Sequence, residues 1–412
     1  MLARRGVHHV RALLRDRAAG VRPPAPRGAV EFRRALTELG PAAVKLGQLL
    51  STRGDLLPPG YREELTLLQA QVPPVPYAEV AATVAAELGH GPEDLFATFD
   101  REPLAAASIG QVHAATLHDG TDAVVKVRRA DVARLVEADL HLLHRVAGLA
   151  AALGERTRDR YDPEGLAEEF AGALRRECDY RVEAAVAAEL HDHFRTADLP
   201  VQVPTVHPAL STEGVLTMDR VRGIRLDDVT GLVDGGLDPA EVAEAFADAF
   251  MSMVFGFGVF HADPHPGNVF VQPDGSLALV DFGKHGRVDG RMKDALAMVL
   301  ASLVGGDLDG LVHALESMEM ARSDVDRDAL RDDLAVLVHR YGHRPLKEIQ
   351  VGPVFGEVMA VVRRHHLRLP PDLMLLLATV VMCEGVAVDL DPDFELQPVL
   401  LRWAARGGAG ST

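Results

Sequence analysis

Three side chains that carry oxygen atoms fall within one short stretch, FHADPHPGNVFVQPDGSLALVDFG, which covers residues 260–283. Asp263 precedes Asn268 in a loop rich in Pro and Gly, which cannot be helical. Two short strand-like runs around the turn PDGS predict a hairpin that returns Asp281 to the side of Asn268. Carboxylate and amide oxygens suit Mg²⁺, and protein-bound Mg²⁺ usually completes its shell with phosphate oxygens. The stretch therefore predicts a site for Mg²⁺ and a phosphorylated ligand.

The order of these residues is typical of a phosphoryl-transfer site of the kinase type, with an Asp-x-x-x-x-Asn loop followed by an Asp-Phe-Gly turn. In this interpretation Asn268 and Asp281 bind Mg²⁺, and Asp263 orients or deprotonates the acceptor hydroxyl. Such a site also needs a strand lysine for the α and β phosphates of ATP or ADP, and a helix carboxylate to hold that lysine. Lys126 in DAVVKV is the predicted lysine, and Glu183 is its predicted partner.

The loop before the Lys126 strand departs from the glycine-rich loop of ordinary protein kinases. The sequence there is LAAASIGQVHAA, residues 104–115, in which alanines favour a tighter turn than glycines do. Phosphate contact must then be made differently. The residues predicted to contact the nucleotide in this loop are Ala105, Ala106, Ala107, Ser108, Gly110 and Gln111.

His261 and His265 flank Asp263 and raise the question of a zinc site. Pro264 and Pro266 exclude the helical i, i+4 arrangement that such a site uses. We predict instead that His261 packs beside the metal-binding turn.

The elements that must position these residues follow from the periodicity of the sequence. Residues 30–94 have helical periodicity, residues 95–222 change to short strands with a helical insertion at 131–194, and residues 223–412 are mostly helical. We therefore predict an α+β fold in four parts. These are a basic N-terminal tail (1–29), a helical extension (30–94), an N-lobe with the lysine (95–222) and a C-lobe with the catalytic loop (223–412).

Composition narrows the classes of function. The chain has 412 residues, of which 48% are hydrophobic and 25% charged, which is typical of a folded protein with more than one lobe. Its 43 basic and 60 acidic residues give a net charge of −17, which argues against nucleic acid as a partner. Cys178 and Cys383 lie far apart, and no apolar secretory segment begins the sequence, so we expect a cytoplasmic protein with reduced thiols.

Two segments bear on membranes. The longest apolar run, LMLLLATVVM (373–382), is about half of the roughly 20 residues that cross a bilayer, and it predicts a buried helix. Residues 1–34 hold nine arginines against Asp16 and Glu31. Two interpretations of this basic segment stay open, namely contact with an anionic membrane surface and a solvated tail.

Five motifs, KLGQLLSTRGDLLP, AAASIGQVH, ECDYRVEA, HADPHPGN and DFGKHG, together resemble the UbiB/AarF family of atypical protein-kinase-like ATPases. The resemblance covers roughly residues 30–400 and implies a protein-kinase-like bilobal fold with a helical extension over the active-site face. It places the Lys-x-Gly-Gln motif of the family on Lys45, Gly47 and Gln48. It also places a Glu-x-Asp pair on Glu177 and Asp179, which would face the covering helix beside the nucleotide.

The resemblance implies an ATP-binding, Mg²⁺-dependent kinase or ATPase that supports isoprenoid quinone (ubiquinone or menaquinone) biosynthesis. Its partners would be quinone precursors or the enzymes that process them. Many bacterial members end in membrane-spanning helices, whereas this sequence ends in RWAARGGAGST, so we expect peripheral contact with the inner face of the membrane. Two alternatives stay open. One is a small-molecule phosphotransferase of the aminoglycoside or choline kinase type, which lacks the Ala-rich loop and the Lys45–Gln48 motif, and the other is a nucleotide-binding pseudokinase scaffold.

Overall fold

A computed structural model describes residues 26–39, 41–52, 57, 59–68, 73–152, 162–318, 320, 325–341, 351–365, 367 and 369–409. The chain divides into two compact units, Met1–Val182 with Val206–Arg220, and Glu183–Thr205 with Val221–Thr412. The predicted domain boundaries stay a prediction. One difference concerns residues 183–205, which were expected in the N-lobe but belong to the second unit, because Val201 pairs there with Leu277.

The helices and strands follow one another in an order close to the predicted one. The elements up to the helical insertion are α1 (Pro26–Leu39), α2 (Pro41–Thr52), α3 (Pro59–Thr66), α4 (Tyr77–Leu88), α5 (Pro92–Leu95), β1 (Thr98–Phe99), β2 (Ala105–Ala106), β3 (Gly110–Thr116) and β4 (Asp122–Arg128). The insertion and the strands after it are α6 (Val132–Ala151), α7 (Pro163–Glu177), α8 (Tyr180–Thr196), β5 (Val201–Gln202), β6 (Val215–Asp219) and β7 (Ile224–Arg225).

The remaining elements carry the predicted catalytic stretch and the helices after it. They are α9 (Val229–Asp234), α10 (Pro239–Met251), a π-helical turn (Ser252–Phe257), β8 (Val259–His261), β9 (Val269–Val271), β10 (Leu277–Leu279), β11 (His285–Arg287), α11 (Gly290–Gly305), α12 (Leu308–Ser317), α13 (Arg327–Tyr341), α14 (Val351–Arg364), α15 (Pro371–Leu390) and α16 (Leu396–Ala409). The fold is therefore mixed α and β, as predicted.

The first unit is built around an antiparallel sheet of order β1-β3-β4-β6, with β2 paired to β3. Residues alternate along β4, so that Val125 and Val127 are buried and Lys126 between them points to the opposite face. Val80 and Val84 of α4 pack on the buried face in one apolar cluster with both valines. Alternation thus fixes which side of the sheet carries the lysine.

A second apolar cluster in this unit joins α1, α2 and α3 through residues that include Leu36, Val44 and Leu65. Gly47 of α2 is buried in it. A Cβ atom at Gly47 would lie 2.8 Å from Cδ1 of Leu36 and would also meet Leu68, so the close approach of the helices requires glycine there. The predicted basic tail, 1–29, lies outside the described residues up to residue 25, and from Pro26 onward it is already part of α1.

The second unit holds a sheet of order β5-β10-β9-β7 and a separate ladder of β8 with β11. The predicted hairpin is confirmed, because β9 and β10 pair in antiparallel register with Leu279 opposite Val269. Gly275 in its turn has a φ of 83°, a conformation that favours glycine. Large aromatic side chains, among them Phe246 and Phe260, fill the core of this unit.

Helix α15 contains the apolar run 373–382, for which a buried helix was predicted. The helix has 20 residues and, by length and composition, is the one helix within the described ranges that is apolar enough to cross a membrane. It packs on α10 and α14. Cys383 and Leu376 are buried, whereas Met382 and Val388 are exposed, so the helix is only partly covered by the protein.

Candidate active site

The loop that carries Asp263 is held by His261, the last residue of β8. His261 is 1% exposed, its Nδ1 accepts a hydrogen bond from the Asp263 backbone N–H at 3.1 Å, and its Nε2 donates to the Val280 carbonyl at 3.0 Å. The ring also packs edge-on against Phe282, with centroids 5.3 Å apart. His261 therefore ties the start of the catalytic loop to the strand that leads into the Asp-Phe-Gly turn, which confirms the predicted packing.

Hydrogen bonds hold both the backbone and the side chain of Asn268. Its carbonyl accepts the Val280 N–H at 2.9 Å, and its own N–H donates to the His265 carbonyl at 2.8 Å. The side-chain Nδ2 donates to the Asp263 carbonyl at 3.2 Å. Because the amide nitrogen is engaged with the loop, Oδ1 is the atom that this orientation offers to a cation.

Asp281 follows the hairpin in a left-handed conformation, with φ 65°. Such a conformation is uncommon outside glycine, asparagine and aspartate, and sparsely populated backbone of this kind gathers at functional sites. The side chain lies on the same side as that of Glu183. A Cβ atom built at Gly283 would lie 3.4 Å from Asp281 Oδ1 and 3.8 Å from Glu183 Oε2, so two carboxylates border this glycine.

Glu183, in the first turn of α8, is 5% exposed. Its Oε1 accepts a hydrogen bond of 3.1 Å from the backbone N–H of Phe282. The structure therefore brings Glu183 to the predicted metal-binding turn. Its predicted ion pair with Lys126 stays a prediction, as does the contact of Lys126 with nucleotide phosphates.

These residues fit Mg²⁺ by their chemistry. The donor set is one carboxylate, Asp281, and one amide oxygen, Asn268, both hard ligands, beside the further negative charge of Glu183. Among the residues that the structure describes, no group of three or more His, Cys, Asp or Glu side chains gathers as a metal site. A set of two protein oxygens is sufficient for Mg²⁺ that is also bound to phosphates, which is how such sites usually work.

The Ala-rich loop is a tight turn, as its alanines predicted. Ala105 and Ala106 form β2 on the edge of β3, and the Ala107 N–H donates to the Gly110 carbonyl at 2.8 Å. Arg129 holds the turn through the Ala107 carbonyl at 3.3 Å and the Pro73 carbonyl at 2.7 Å. Burial lowers the pKa of this arginine. The turn is therefore fixed by side chains and backbone rather than left free to wrap a ligand.

Two residues of the predicted nucleotide set have packing roles in the structure. Gln111 is 2% exposed, its Oε1 accepts the Val75 N–H at 2.9 Å, and its Nε2 lies 2.8 Å from His113 Nε2. Gly110 has no room for a side chain, since a Cβ atom there would lie 2.7 Å from the Val127 carbonyl and would also meet the Tyr180 hydroxyl. For Gln111 this favours a structural role over the predicted nucleotide contact, because its amide is committed to the segment before α4. Ser108 is buried as well.

The predicted helical insertion at 131–194 is not one continuous helix, and a break separates Glu177 from Glu183. Helix α7 ends at Glu177, and α8 begins at Tyr180. The break is held by Arg128, which donates to the Cys178 carbonyl and, at 2.8 Å, to Glu213. Asp179 begins the next helix by accepting the Arg181 N–H at 3.0 Å.

The Asp179 carboxylate also pairs with the Arg181 guanidinium in two hydrogen bonds of 2.8 Å. These hydrogen bonds lower the pKa of Asp179 and keep it ionised. Helix α2, which carries the Lys-x-Gly-Gln motif, packs beside α6 and α7, so the motif and the helix that ends at Glu177 are neighbours. The side chains of Lys45 and Gln48 lie outside the described part of the structure, and their contacts stay a prediction.

Two residues near the site were missed by sequence reasoning. Lys284, directly after the Asp-Phe-Gly turn, places its Nζ 3.3 Å from Asp263 Oδ2. Arg287 pairs with Glu189 of α8 through hydrogen bonds of 3.1 and 2.6 Å, and its backbone N–H donates to Asp372 at the start of α15. The basic residues of DFGKHGR directly follow Asp281, which could have indicated that they pair with acidic residues of the site. Their partners could not be identified, because they lie far away in the sequence.

The hairpin, the Asp-x-x-x-x-Asn loop and the Asp-Phe-Gly turn together define a kinase-like domain, and comparisons with known proteins agree. The ABC1 atypical kinase-like domain matches residues 67–315, and the UbiB helical domain matches residues 334–395. The first match covers more than half of the chain. The chain belongs to this UbiB/AarF family of atypical kinase-like proteins, as its motifs predicted.

Two similar proteins place the match in context. An uncharacterized protein of Synechocystis, sll1770, is 34% identical over 374 residues, which is 90% of this chain and 64% of that protein. The chain thus spans somewhat less than two thirds of that relative. A Mycobacterium tuberculosis chain, solved as a complex of Rv3197 with erythromycin, is similar with a TM-score of 0.59 and 24% identity over 93% of this chain and 94% of the other. At this identity the likeness confirms the kinase-like fold alone.

Proposed function

We propose that the chain is an ATP-binding, Mg²⁺-dependent phosphoryl-transfer enzyme that supports isoprenoid quinone biosynthesis or related lipid metabolism. The observation that carries the proposal is the backbone pairing of Asn268 with Val280, because it sets the amide of Asn268 beside the turn of Asp281. Membership in an atypical kinase-like family supports it independently.

In this proposal each residue has one task. Asn268 Oδ1 and the Asp281 carboxylate hold Mg²⁺, and Lys126 binds the α and β phosphates. Asp263 accepts the proton of the attacking hydroxyl or water while the bond from the γ phosphorus to the ADP oxygen breaks and the new P–O bond forms. Glu183 holds the turn through Phe282. The metal, when bound, neutralises charge that develops on the phosphate oxygens.

The proposed link to quinone metabolism and to the membrane is based on the family resemblance. Helix α15, which is apolar enough to cross a membrane by length and composition and is only partly covered, supports a lipid-proximal role, since exposed apolar surface favours such contact. The acceptor would then be a quinone precursor, an enzyme that processes it, or water. Localisation at the inner face of the membrane, through peripheral contact, belongs to the same proposal.

The proposal is tested by Mg²⁺-dependent ATP hydrolysis, measured with and without anionic liposomes and a quinone-precursor mimic. Asp281→Asn should abolish the activity, because an amide replaces the one carboxylate ligand. The matched control is Asp274→Asn in the turn of the same hairpin. Asp274 accepts hydrogen bonds from Ser276 that an asparagine can also accept, so this variant should keep full activity. Full activity of Asp281→Asn would refute the metal assignment.

The alternatives give different products in the same assay. A small-molecule phosphotransferase should release ADP only when a hydroxyl acceptor is added, and the acceptor should carry the phosphate. A pseudokinase scaffold should bind nucleotide with Mg²⁺ and release no ADP under any of these conditions. Stimulation by anionic lipid, lost in Asp281→Asn, would favour the membrane-coupled ATPase over both.

A further inference from the structure

The loop between Asp263 and Asn268, with the sequence DPHPGN, contains no lysine or arginine. A transferred phosphoryl group carries its negative charge on three oxygens, and phosphoryl-transfer sites place cations around it. In the proposed function, Lys126 would bind the α and β phosphates, and Mg²⁺ held by Asn268 and Asp281 would offset part of the phosphate charge. The chain supplies a further cation from the segment after the turn, where Lys284 Nζ lies 3.3 Å from Asp263 Oδ2.

The backbone fixes the position of Lys284. Strands β8 and β11 pair in antiparallel register, with His285 opposite His261. The Lys284 carbonyl accepts the Ala262 N–H at 3.0 Å, one residue before Asp263. The lysine and the aspartate therefore stay next to each other because a ladder of backbone hydrogen bonds holds the two segments, whatever the side chains do.

The side chains themselves are accessible. Lys284 is 44% exposed and Asp263 29% exposed, so water reaches both charges. Ion pairs of this kind contribute little to stability because water and salt screen them. A lysine ammonium on a flexible stem has three donors and can bind a second anion while it stays near the first.

We propose that Lys284 is a catalytic residue that contacts the γ phosphate of the bound nucleotide. The inference rests on the proposed function, since it adds a residue to the same site. The ammonium pairs with Asp263 in the free protein and with phosphate oxygens in the complex, where it offsets the charge that develops as the γ phosphorus leaves ADP. Asp263 is thereby released to accept the proton of the attacking hydroxyl.

The alternative is a positioning role, in which Lys284 only holds Asp263. The two roles predict different effects on nucleotide affinity. A lysine that contacts the γ phosphate strengthens the binding of a triphosphate over that of a diphosphate, whereas a lysine that only holds Asp263 affects both alike. The preference for triphosphate can be measured without turnover by comparing ADP with the non-hydrolysable β,γ-imido analogue of ATP.

The test is calorimetric titration of the full chain with both nucleotides in the presence of Mg²⁺. Lys284→Met should reduce the preference for the analogue over ADP about tenfold or more, as expected for the loss of one charge-assisted hydrogen bond, with ADP affinity nearly unchanged. Lys284→Arg should restore most of the preference. The matched control is Lys293→Met, which removes a nearby lysine whose ammonium donates to the Gly256 carbonyl instead, and it should leave the preference intact.

The outcomes separate the two proposals. Unchanged affinity for both nucleotides in Lys284→Met overturns any role of Lys284 in nucleotide binding and leaves the proposed function standing. Failure of the unaltered chain to bind either nucleotide with Mg²⁺ overturns the proposed function and this inference with it. Equal loss of affinity for both nucleotides assigns Lys284 to positioning and refutes the γ-phosphate contact.

Discussion

Glu183 accepts a hydrogen bond from the backbone N–H of Phe282 at 3.1 Å, although the two residues are 99 positions apart. The bond joins the first turn of α8 to the middle residue of the Asp-Phe-Gly turn. Because Glu183 and Phe282 are both buried, neither group can exchange its partner for water without a cost. Glu183 therefore acts on the Asp-Phe-Gly turn directly, through the main chain.

Two substitutions of Glu183 distinguish what this hydrogen bond contributes to stability from what the negative charge contributes. Glu183→Gln retains an oxygen that can accept the Phe282 N–H, whereas Glu183→Ala leaves that buried donor unsatisfied. We expect the alanine variant to be less stable than the glutamine variant by about 1–3 kcal/mol. Urea denaturation followed by circular dichroism measures the difference. Equal stabilities of the two variants would mean that the bond to Phe282 contributes nothing.

The left-handed backbone at Asp281 predicts an order of stability for two variants that both lack the carboxylate. Glycine adopts a φ of 65° freely, whereas alanine is strained there, so Asp281→Gly should be more stable than Asp281→Ala by about 1–2 kcal/mol. Both should lose Mg²⁺-dependent nucleotide binding. Thermal denaturation tests the order, and an alanine variant as stable as the glycine variant would show that the conformation is not strained.

Gly47 should tolerate no side chain. Gly47→Ala places a methyl group against Leu36 and Leu68, and overpacking of this kind costs about 1–3 kcal/mol. A methyl group at Gly60, in the neighbouring helix α3, would have no atom within 4 Å, so Gly60→Ala should be neutral or stabilising. The denaturation midpoints of the two variants show whether packing or helix propensity determines the effect of a glycine-to-alanine change in these helices. A stabilised Gly47→Ala would contradict the packing described for α2.

The ion pair of Arg287 with Glu189 predicts a pH dependence. The Arg287 guanidinium, through its hydrogen bonds, lowers the pKa of Glu189. The stability that the pair contributes is therefore fully present above the ordinary pKa of glutamate, about 4.3, and is lost as the pH falls through the lower pKa of the folded state.

The corresponding variant is Arg287→Met. At pH 7 it should be less stable than the unaltered chain by up to about 1 kcal/mol, since the arginine side chain is more than half exposed and solvent screens the pair. The difference should shrink at about pH 4 and in concentrated salt. Thermal denaturation across this range measures it, and a difference that is constant with pH and salt would assign the effect to lost packing.

The local pattern of the sequence predicted the parts of the site that neighbours in the chain create. The hairpin of Asn268 and Asp281 depends on two alternating runs and a Pro-Asp-Gly turn, all within a few residues. The break before Asp179 could not be predicted in this way. RRECDYRVEA is helical in composition and has no Gly or Pro, and the break is held by Arg128, which arrives from β4.

The same limit explains Gln111, Lys284 and Glu183. Each was visible as a polar residue in a motif, but its partner is set by tertiary contacts with Val75, Asp263 and Phe282 respectively. For α15 the apolar run 373–382 predicted a helix but not its full extent, Pro371–Leu390, because a helix continues through a charged residue such as Glu384 when its other positions pack.

The φ of 65° at Asp281 limits the residue types that this position can accept without backbone strain. Glycine, asparagine and aspartate are the types that enter this conformation at low cost. Glycine has no ligand atom and asparagine has no charge, so a lineage that keeps this backbone and needs an anionic ligand has a single residue type to choose from. If the proposed function holds, a homologue with glycine at this position would mark descendants that kept the shape of the turn and lost one ligand of the metal.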